Sequence, residues 1–518
     1  MSNKLLITDK TLVTSKSDKI IYIKESNYDL VKYFMKSHKR ARKINNKILN
    51  NNNQSSLLLS LLKLGDVPIY EVARILNIID DYKEFDITVD TKYNKLLKYI
   101  ILLEKLDFKK VNIIDRGLEK LKIKFYLKYI VAWIIMVVNS IFIKKKHDKN
   151  IFSIYNTNIA YDFIEPYQKD VVVYGSLSPN IYLKPKYYSP KNYIKFKYIT
   201  VNKFFKGIRN IYNNIKIVNK MDIDSELKNI FISYLFPLET QNMIYLSLKD
   251  KFINLTNLLG MFDTNSAIDY VTDNLNKIGI KTICIPHGIN YIYKVNYISL
   301  GTNMYTFWSK NHYNRIMQSL LIKPNNTKLK ITGNYIYTKT LKHRKITKKS
   351  KKILVVGEYF EKNIFYSSPF NKKNANELLK TLSEFAKKNQ DCSILIRTRI
   401  DDEYAQIAKN YLSNNIKLSS PKNPLIDEIN EHDLIISIFS NALHEALLLN
   451  KKVLQVNLLG IENYRTLAND GLVYYADTID ALNNKLKKWY NGELKDLDYE
   501  RHLREYCNNG VFEKIKLD

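Results

Sequence analysis

From residue 254 onward the apolar positions of this 518-residue chain gather into short runs separated by amphipathic stretches. The run at 255–262 is followed by the polar residues 263–266, a helical spacing over 267–277, Gly279, and a second apolar run at 282–285. Strand, polar turn, helix, glycine and strand is the order of a crossover unit joining two parallel strands. A second unit follows at once, with a strand over 305–308, a helix over 311–321 and a strand over 329–331. Beyond residue 350 the alternation resumes. Strands are predicted at 353–356, 393–396, 434–438 and 453–456, and helices at 374–388, 403–412, 424–430, 442–449 and 480–489. Continuous apolar runs without alternation mark strands covered on both faces, and strands alternating with helices specify doubly wound sheets.

The first 250 residues are less regular. Strand-like runs at 5–8, 20–23, 151–155 and 171–174 flank a long region, 57–143, in which helical spacing dominates after a polar loop at 51–56. The expected fold class is α/β: two Rossmann-like doubly wound domains facing a cleft, the N-terminal half carrying extra helices. The boundaries are an α/β domain over 1–335 with a helical insertion around 57–150, and a linker over 336–350 within a basic stretch that has six lysines from Lys342 to Lys352. A Rossmann-like domain then covers 351–490, and a tail over 491–518 packs back on the first domain. Two large domains also suit the length, because single cores stop growing at about 250 to 300 residues.

One segment changes this picture. Residues 129–143 carry no charge, with Lys122, Lys124 and Lys128 before them and Lys144, Lys145 and Lys146 after. A helix apolar on every face is either buried or in lipid, and this one is shorter than the roughly 20 residues of a membrane span. Three placements stay open: a core helix, a helix lying in the membrane interface, or a span in which Lys128 snorkels.

The formal charge is +31, from 82 Lys and Arg against 51 Asp and Glu. It would attract phosphate-bearing ligands and an anionic membrane surface, although abundant Lys, Asn, Ile and Tyr also follow from AT-rich coding. Nucleic acid is not an expected partner, since neither zinc-finger spacing nor an aromatic RNA-binding signature is present. Cys284, Cys392 and Cys507 are far apart and read as thiols of a reducing compartment. The eight His residues lack metal-ligand spacing, so no built-in metal or cofactor is expected. No secretory signal follows Met1, and the expected location is the cytoplasm, at the inner face of the membrane.

In open parallel sheets ligands sit at the carboxyl ends of the strands. The strand over 282–285 runs into Pro286, His287 and Gly288. An imidazole there, titrating at about pH 6.5 when unperturbed, suits the removal of a proton from an attacking hydroxyl, and Gly288 permits close approach. Asp263, at the end of the preceding strand, would orient that imidazole, act as base itself, or cap the turn. In the second half, Ser437 ends a strand and Ser440 or Asn441 caps the next helix, whose N–H groups can hold a phosphate. Glu445, one turn in, would accept from ribose hydroxyls or complement the helix dipole. Arg397 and Arg399 share one side of a strand, with Gly357 and Glu358 at the end of a neighbouring strand, a set suited to a pyrophosphate or an anionic acceptor. Asn334 follows a third strand end and is placed in the cleft with Gly288.

Taken together, the order strand, Asp263, helix, Gly279, strand, Pro286-His287-Gly288, then Phe307-Trp308-Ser309, Thr332-Gly333-Asn334 and Ser437, Ser440, Glu445 and Ala446 resembles GT-B-fold glycosyltransferases of bacterial surface polysaccharide synthesis. It is similar also to the polyol-phosphate transferases that build teichoic acids, whose His-Gly motif includes the catalytic base. The resemblance spans about 254–489. It implies His287 as catalytic base, with Ser440, Asn441 and Glu445 in a donor-nucleotide pocket. It further implies a nucleotide-sugar donor, a glycan or lipid-linked acceptor of capsule or lipopolysaccharide type, and no need for a metal. Two departures suggest a divergent branch: Arg397-Thr398-Arg399-Ile400-Asp401 stands where relatives have Lys or Arg followed by His-Pro, and Tyr335 replaces a usual Pro. Transfer of glycerol or ribitol phosphate from a CDP-polyol, and a non-catalytic membrane-associated assembly subunit, are the rival readings.

Overall fold

The computed structural model describes residues 4–8, 19–22, 34–52, 55–64, 66–106, 111–114, 123–143, 145, 150–153, 165–167, 169–174, 193–194, 197–262, 266–286, 298–344, 350–357, 372–398, 403–420, 423–438, 440–458 and 466–517. All strands in these segments belong to three parallel sheets. The first contains β1 (Lys4–Thr8), β2 (Lys19–Tyr22), β3 (Asp86–Asp90) and β4 (Val111–Ile113) in the order β2-β1-β3-β4. The region read from its periodicity as helical is therefore interrupted by two strands. In β3, Ile87 and Val89 are buried on either side of the more open Thr88, an alternation too short to stand out beside helices Asp66–Asp81 and Asn94–Glu104.

The second sheet contains β5 (Asn150–Ser153), β6 (Val172–Tyr174), β7 (Tyr193–Ile194), β8 (Asn257–Gly260), β9 (Lys281–Cys284), β10 (Met304–Phe307) and β11 (Lys328–Ile331). Its order is β11-β10-β9-β8-β5-β6-β7, so the winding reverses between β5 and β8. The third contains β12 (Lys352–Val356), β13 (Ser393–Arg397), β14 (Ile416–Leu418), β15 (Leu434–Ser437), β16 (Lys452–Val456) and β17 (Tyr474–Ala476). Its order, β14-β13-β12-β15-β16-β17, reverses between β12 and β15. Both are doubly wound, as the alternation predicted, and each reversal is a topological switch point where a crevice opens at the carboxyl ends.

Residues 336–342, placed within the linker by sequence, belong to helix Tyr335–Lys342, capped by the Asn334 side chain, which accepts from the Ile336 N–H at 2.9 Å. The C-terminal tail lies against this region. Glu513 N–H donates to the Thr332 carbonyl at 2.7 Å and Thr338 Oγ1 to the Gly510 carbonyl at 2.7 Å. Gly333 has φ +78°, and a Cβ there would overlap the Val511 carbonyl, so the close approach of the tail needs glycine.

Helix Ile123–Ile141 covers most of the uncharged segment, and only one of its faces is covered. Trp133, 1% exposed, stacks on Phe236 at 5.7 Å and donates from Nε1 to Thr240 Oγ1 at 2.7 Å. No described helix is long and apolar enough to cross a membrane.

Phe236 and Thr240 belong to helix Ser225–Lys251, which also carries the fully buried Glu239. Its Oε1 accepts from Asn210 and Asn242 Nδ2, both at 2.9 Å, and its Oε2 from Tyr270 O–H at 3.0 Å. Burial outweighs these bonds and pushes the carboxyl up to about 7. A folded-state value above the ordinary 4.5 means that the native state binds the proton more tightly, so this contribution is present at low pH and is lost as pH rises through about 7. Glu239→Gln should therefore gain on the wild type by on the order of 2 kcal/mol between about pH 5 and about pH 8. Denaturant midpoints across that range check it; parallel pH profiles would contradict it.

Candidate functional site

The chain delivers its candidate residues to the carboxyl ends of two sheets. In the second sheet, β8 flanks the switch point and β9 is its neighbour, paired Gly260 to Cys284. The ladder runs one step further through the Ile285 N–H to the Gly260 carbonyl at 2.9 Å, and Ile285 and Pro286 are buried. Asp263 and His287 follow these two strands by three residues each. Both lie outside the described residues, as do Gly288, Glu358 and Arg399.

In the third sheet the two strands at the switch point end at Val356 and Ser437. Ser437, 1% exposed, donates its hydroxyl to the Val356 carbonyl at 2.8 Å. Sequence placed Ser437 among donor contacts, whereas its hydroxyl clasps the two strands at the point where they part. Ser440 then starts helix Ala442–Leu448: its Oγ accepts from the Ala442 N–H at 3.3 Å and its carbonyl from the Leu443 N–H at 3.0 Å. The Asn441 side chain makes no capping bond, so of the two expected caps Ser440 is the one used. Glu445 lies in the first turn, half-buried.

Gly357 extends β12, its N–H donating to the Arg397 carbonyl at 2.9 Å. The Tyr404 ring would lie 2.8 Å from a Cβ at this position, so any side chain there would displace a buried tyrosine. Arg397, expected to meet an anionic ligand, has an internal partner. Its Nη1 donates to Glu428 Oε2 at 2.6 Å and to the Asn423 carbonyl at 3.0 Å. Buried Glu428 also accepts from Asn423 Nδ2 at 3.1 Å and from the Ser419 hydroxyl, so its carboxylate takes three bonds, which hold the strand end to helix Leu425–Glu431. Asn334, expected in the cleft, is buried; its Oδ1 caps helix Tyr335–Lys342, while its Nδ2 has no hydrogen-bond partner among the described residues.

Sequence reasoning missed what joins the two sheets. Trp308, just past β10, meets Tyr337 edge-on at 5.5 Å, and Tyr337 stacks on His444 of helix Ala442–Leu448 at 6.1 Å. His444 Nδ1 lies 3.0 Å from His502 Nε2, and His502 stacks on Tyr506 at 5.7 Å. Tyr506 O–H donates to Asp470 and accepts from Arg315 Nη2 at 3.2 Å. Carboxyl-end residues Met261, Ile285 and Val356 share one buried cluster with Ala442, Leu443 and Tyr506. The i, i+4 spacing of His502 and Tyr506 on helix Tyr499–Tyr506 was the available signal.

Burial pushes His502 down to about 3. His444 is lowered well below the ordinary range, by burial first and then by His502, Arg315 and His312. Both rings are thus neutral, one N–H donating to the other's bare nitrogen. A depressed folded-state value means stability that is present above the unfolded value and lost as pH falls from about 6.5 toward about 3. His502→Gln should remove about 2 kcal/mol of the stability loss seen between about pH 7 and about pH 5. Thermal melts of the two proteins at both pH values check this; an acid limb as steep as that of the wild type would refute it.

No family model matches the chain, and no curated protein matches it by sequence. Among solved structures it is similar to the UDP-GlcNAc 2-epimerase of Neisseria meningitidis bound to UDP-GlcNAc (TM-score 0.42, 11% identity, covering 70% of this chain and 95% of that one). It is similar also to a S. aureus MnaA–UDP co-structure (0.42, 12%, 70% and 93%) and to a glycosyltransferase from Rickettsia africae (0.42, 13%, 71% and 94%).

Proposed function

We propose that the chain is a GT-B-type glycosyltransferase, moving a sugar from a nucleotide-diphosphate donor to a glycan or lipid-linked acceptor in the cytoplasm. The observation that carries the reading is the pairing of two switch points. One is followed in sequence by Asp263, with His287 three residues past the end of the next strand; the other opens beside a helix start capped by Ser440. The buried ring contacts between Trp308 and His444 join the two sheets.

In this mechanism His287 removes the proton of the acceptor hydroxyl as its oxygen bonds to the anomeric carbon. The bond from that carbon to the donor phosphate breaks, and the departing diphosphate is met by the positive dipole end of helix Ala442–Leu448, from whose first-turn N–H groups Ser440 and Asn441 already accept. Glu445 would accept from the ribose hydroxyls. Arg397 would act indirectly, by bracing the end of β13 through Glu428. The metal-independent reaction expected from sequence is retained, as is a role in surface polysaccharide synthesis.

The test is thermal stabilisation of the full chain by UDP, GDP, CDP, UDP-GlcNAc and CDP-glycerol. One nucleotide diphosphate or nucleotide sugar present at about 100 times its dissociation constant should add about 2.7 kcal/mol. Selective stabilisation by CDP-glycerol moves the reading to polyol-phosphate transfer, and no shift with any of the five overturns both. With the donor so identified, His287→Ala should lower turnover by about 10²- to 10⁴-fold while keeping the ligand-induced shift. Unchanged turnover would remove His287 from the mechanism.

A further inference from the structure

Helices Ile123–Ile141 and Val201–Lys220 form one continuous outer face. They join where Trp133 meets Phe204 at 6.3 Å, where Ile199 N–H donates to the Met136 carbonyl at 3.1 Å, and where Asn139 Nδ2 donates to the Lys197 carbonyl at 3.3 Å. Both are fixed from within. Trp133 is held by Phe236 and Thr240, and Gly207 lies so close to Met243 that a Cβ there would overlap the sulfur. The opposite stripes are open to solvent: Ile134 is 52% exposed, Ile135 55%, Val138 47%, Phe205 64% and Ile208 47%. Isolated exposed apolar side chains are ordinary, but a contiguous group of this kind marks an interaction surface.

The charge on the same helices says what covers it. Neither contains an acidic residue, while the first carries two lysines and the second four lysines and Arg209. Lys128, Lys206 and Arg209 are exposed beside the apolar stripes. A second copy of this face would bring like charges together across an apolar contact, which is costly. We propose that the face docks on an anionic phospholipid surface, its apolar stripes entering the headgroup boundary while the basic side chains meet lipid phosphates. Since no described helix can cross a membrane, the helices lie on the surface. The inference is independent of the sugar-transfer reading and stands or falls without it.

The test is flotation of the full chain with phosphatidylcholine vesicles and with vesicles of phosphatidylcholine and phosphatidylglycerol. The wild type should float with the anionic vesicles, less so as salt rises, and remain below the neutral ones. The triple variant Ile134→Ser, Ile135→Ser, Val138→Ser should lower partition at least about tenfold with an unchanged melting temperature. The pair Lys206→Glu and Arg209→Glu should lower it by about tenfold or more on anionic vesicles. Failure of the wild type to float at low salt overturns the proposal, as does undiminished partition of the triple variant. A wild-type dimer in sedimentation velocity that the triple variant dissolves, with no flotation of either, would assign the face to a second copy instead.

Discussion

The contact on which the arrangement of the two doubly wound sheets depends is the hydrogen bond between His444 and His502, 3.0 Å long and shut away from water. Two imidazoles can face each other in an apolar cluster only while both are neutral, with one proton between the facing nitrogens; a charge on either would be a buried cation beside Arg315 and His312. Neutral, they continue a series of aromatic contacts that begins at Trp308 on the second sheet and ends at Tyr506 in the tail. The helix after the third sheet's switch point is thus held from its first residues: Ala442 and Leu443 are buried in one cluster with Tyr506 and the strand-end residues Met261, Ile285 and Val356, and buried His444 packs on Tyr506. A helix used to receive a phosphate needs such an anchor, because its worth lies in a dipole already oriented before the ligand arrives.

The same economy shapes the strand ends. Where β12 and β15 part, the sheet would leave the Val356 carbonyl without a ladder partner, and Ser437 supplies one without adding bulk. Gly357, pressed by Tyr404, keeps the backbone bare at the neighbouring position. Arg397 and Glu428 fix the next strand end through a pair whose bonds are almost all internal. At these strand ends the Ser437 hydroxyl and the Arg397 Nη1 are thus taken up by partners within the protein.

Which parts could be read in advance follows from what a linear pattern encodes. Strands β8 to β13, β15 and β16 were legible because mostly apolar runs alternate there with helical spacing and glycine or polar turns follow, even where a polar residue interrupts, as in β11 and β16. β14 and β17 have three residues each, and β3 and β4 are short strands among helices, so their periodicities are lost beside their neighbours. The chemistry-bearing types at strand ends could be found the same way, since position relative to a strand end is a sequence property. Their partners could not. Ser437 is 81 residues from Val356, Arg397 31 from Glu428, and His444 58 from His502. Hence the partners that the fold gives to the Ser437 hydroxyl, Arg397 Nη1 and Asn334 Oδ1 could not be read from the linear pattern.

Helix Ile123–Ile141 shows the limit from the other side. Its composition announces that both faces are apolar, which leaves open which of them the protein covers. The answer is set by a single large side chain: Trp133, stacked on Phe236 and bonded to Thr240, admits one rotation of the helix about its axis. Turning the outer stripe inward would expose the indole and strand its N–H, and would carry Lys128 toward the core, where a lysine is costly without a partner. The exposure of Ile134, Ile135 and Val138 is accordingly a property of the fold, fixed by the same residue that buries the opposite stripe. An apolar surface fixed in that way, with lysine and arginine at its margin and no acid on either helix, is physically suited to a negatively charged, deformable partner more than to a protein of like charge.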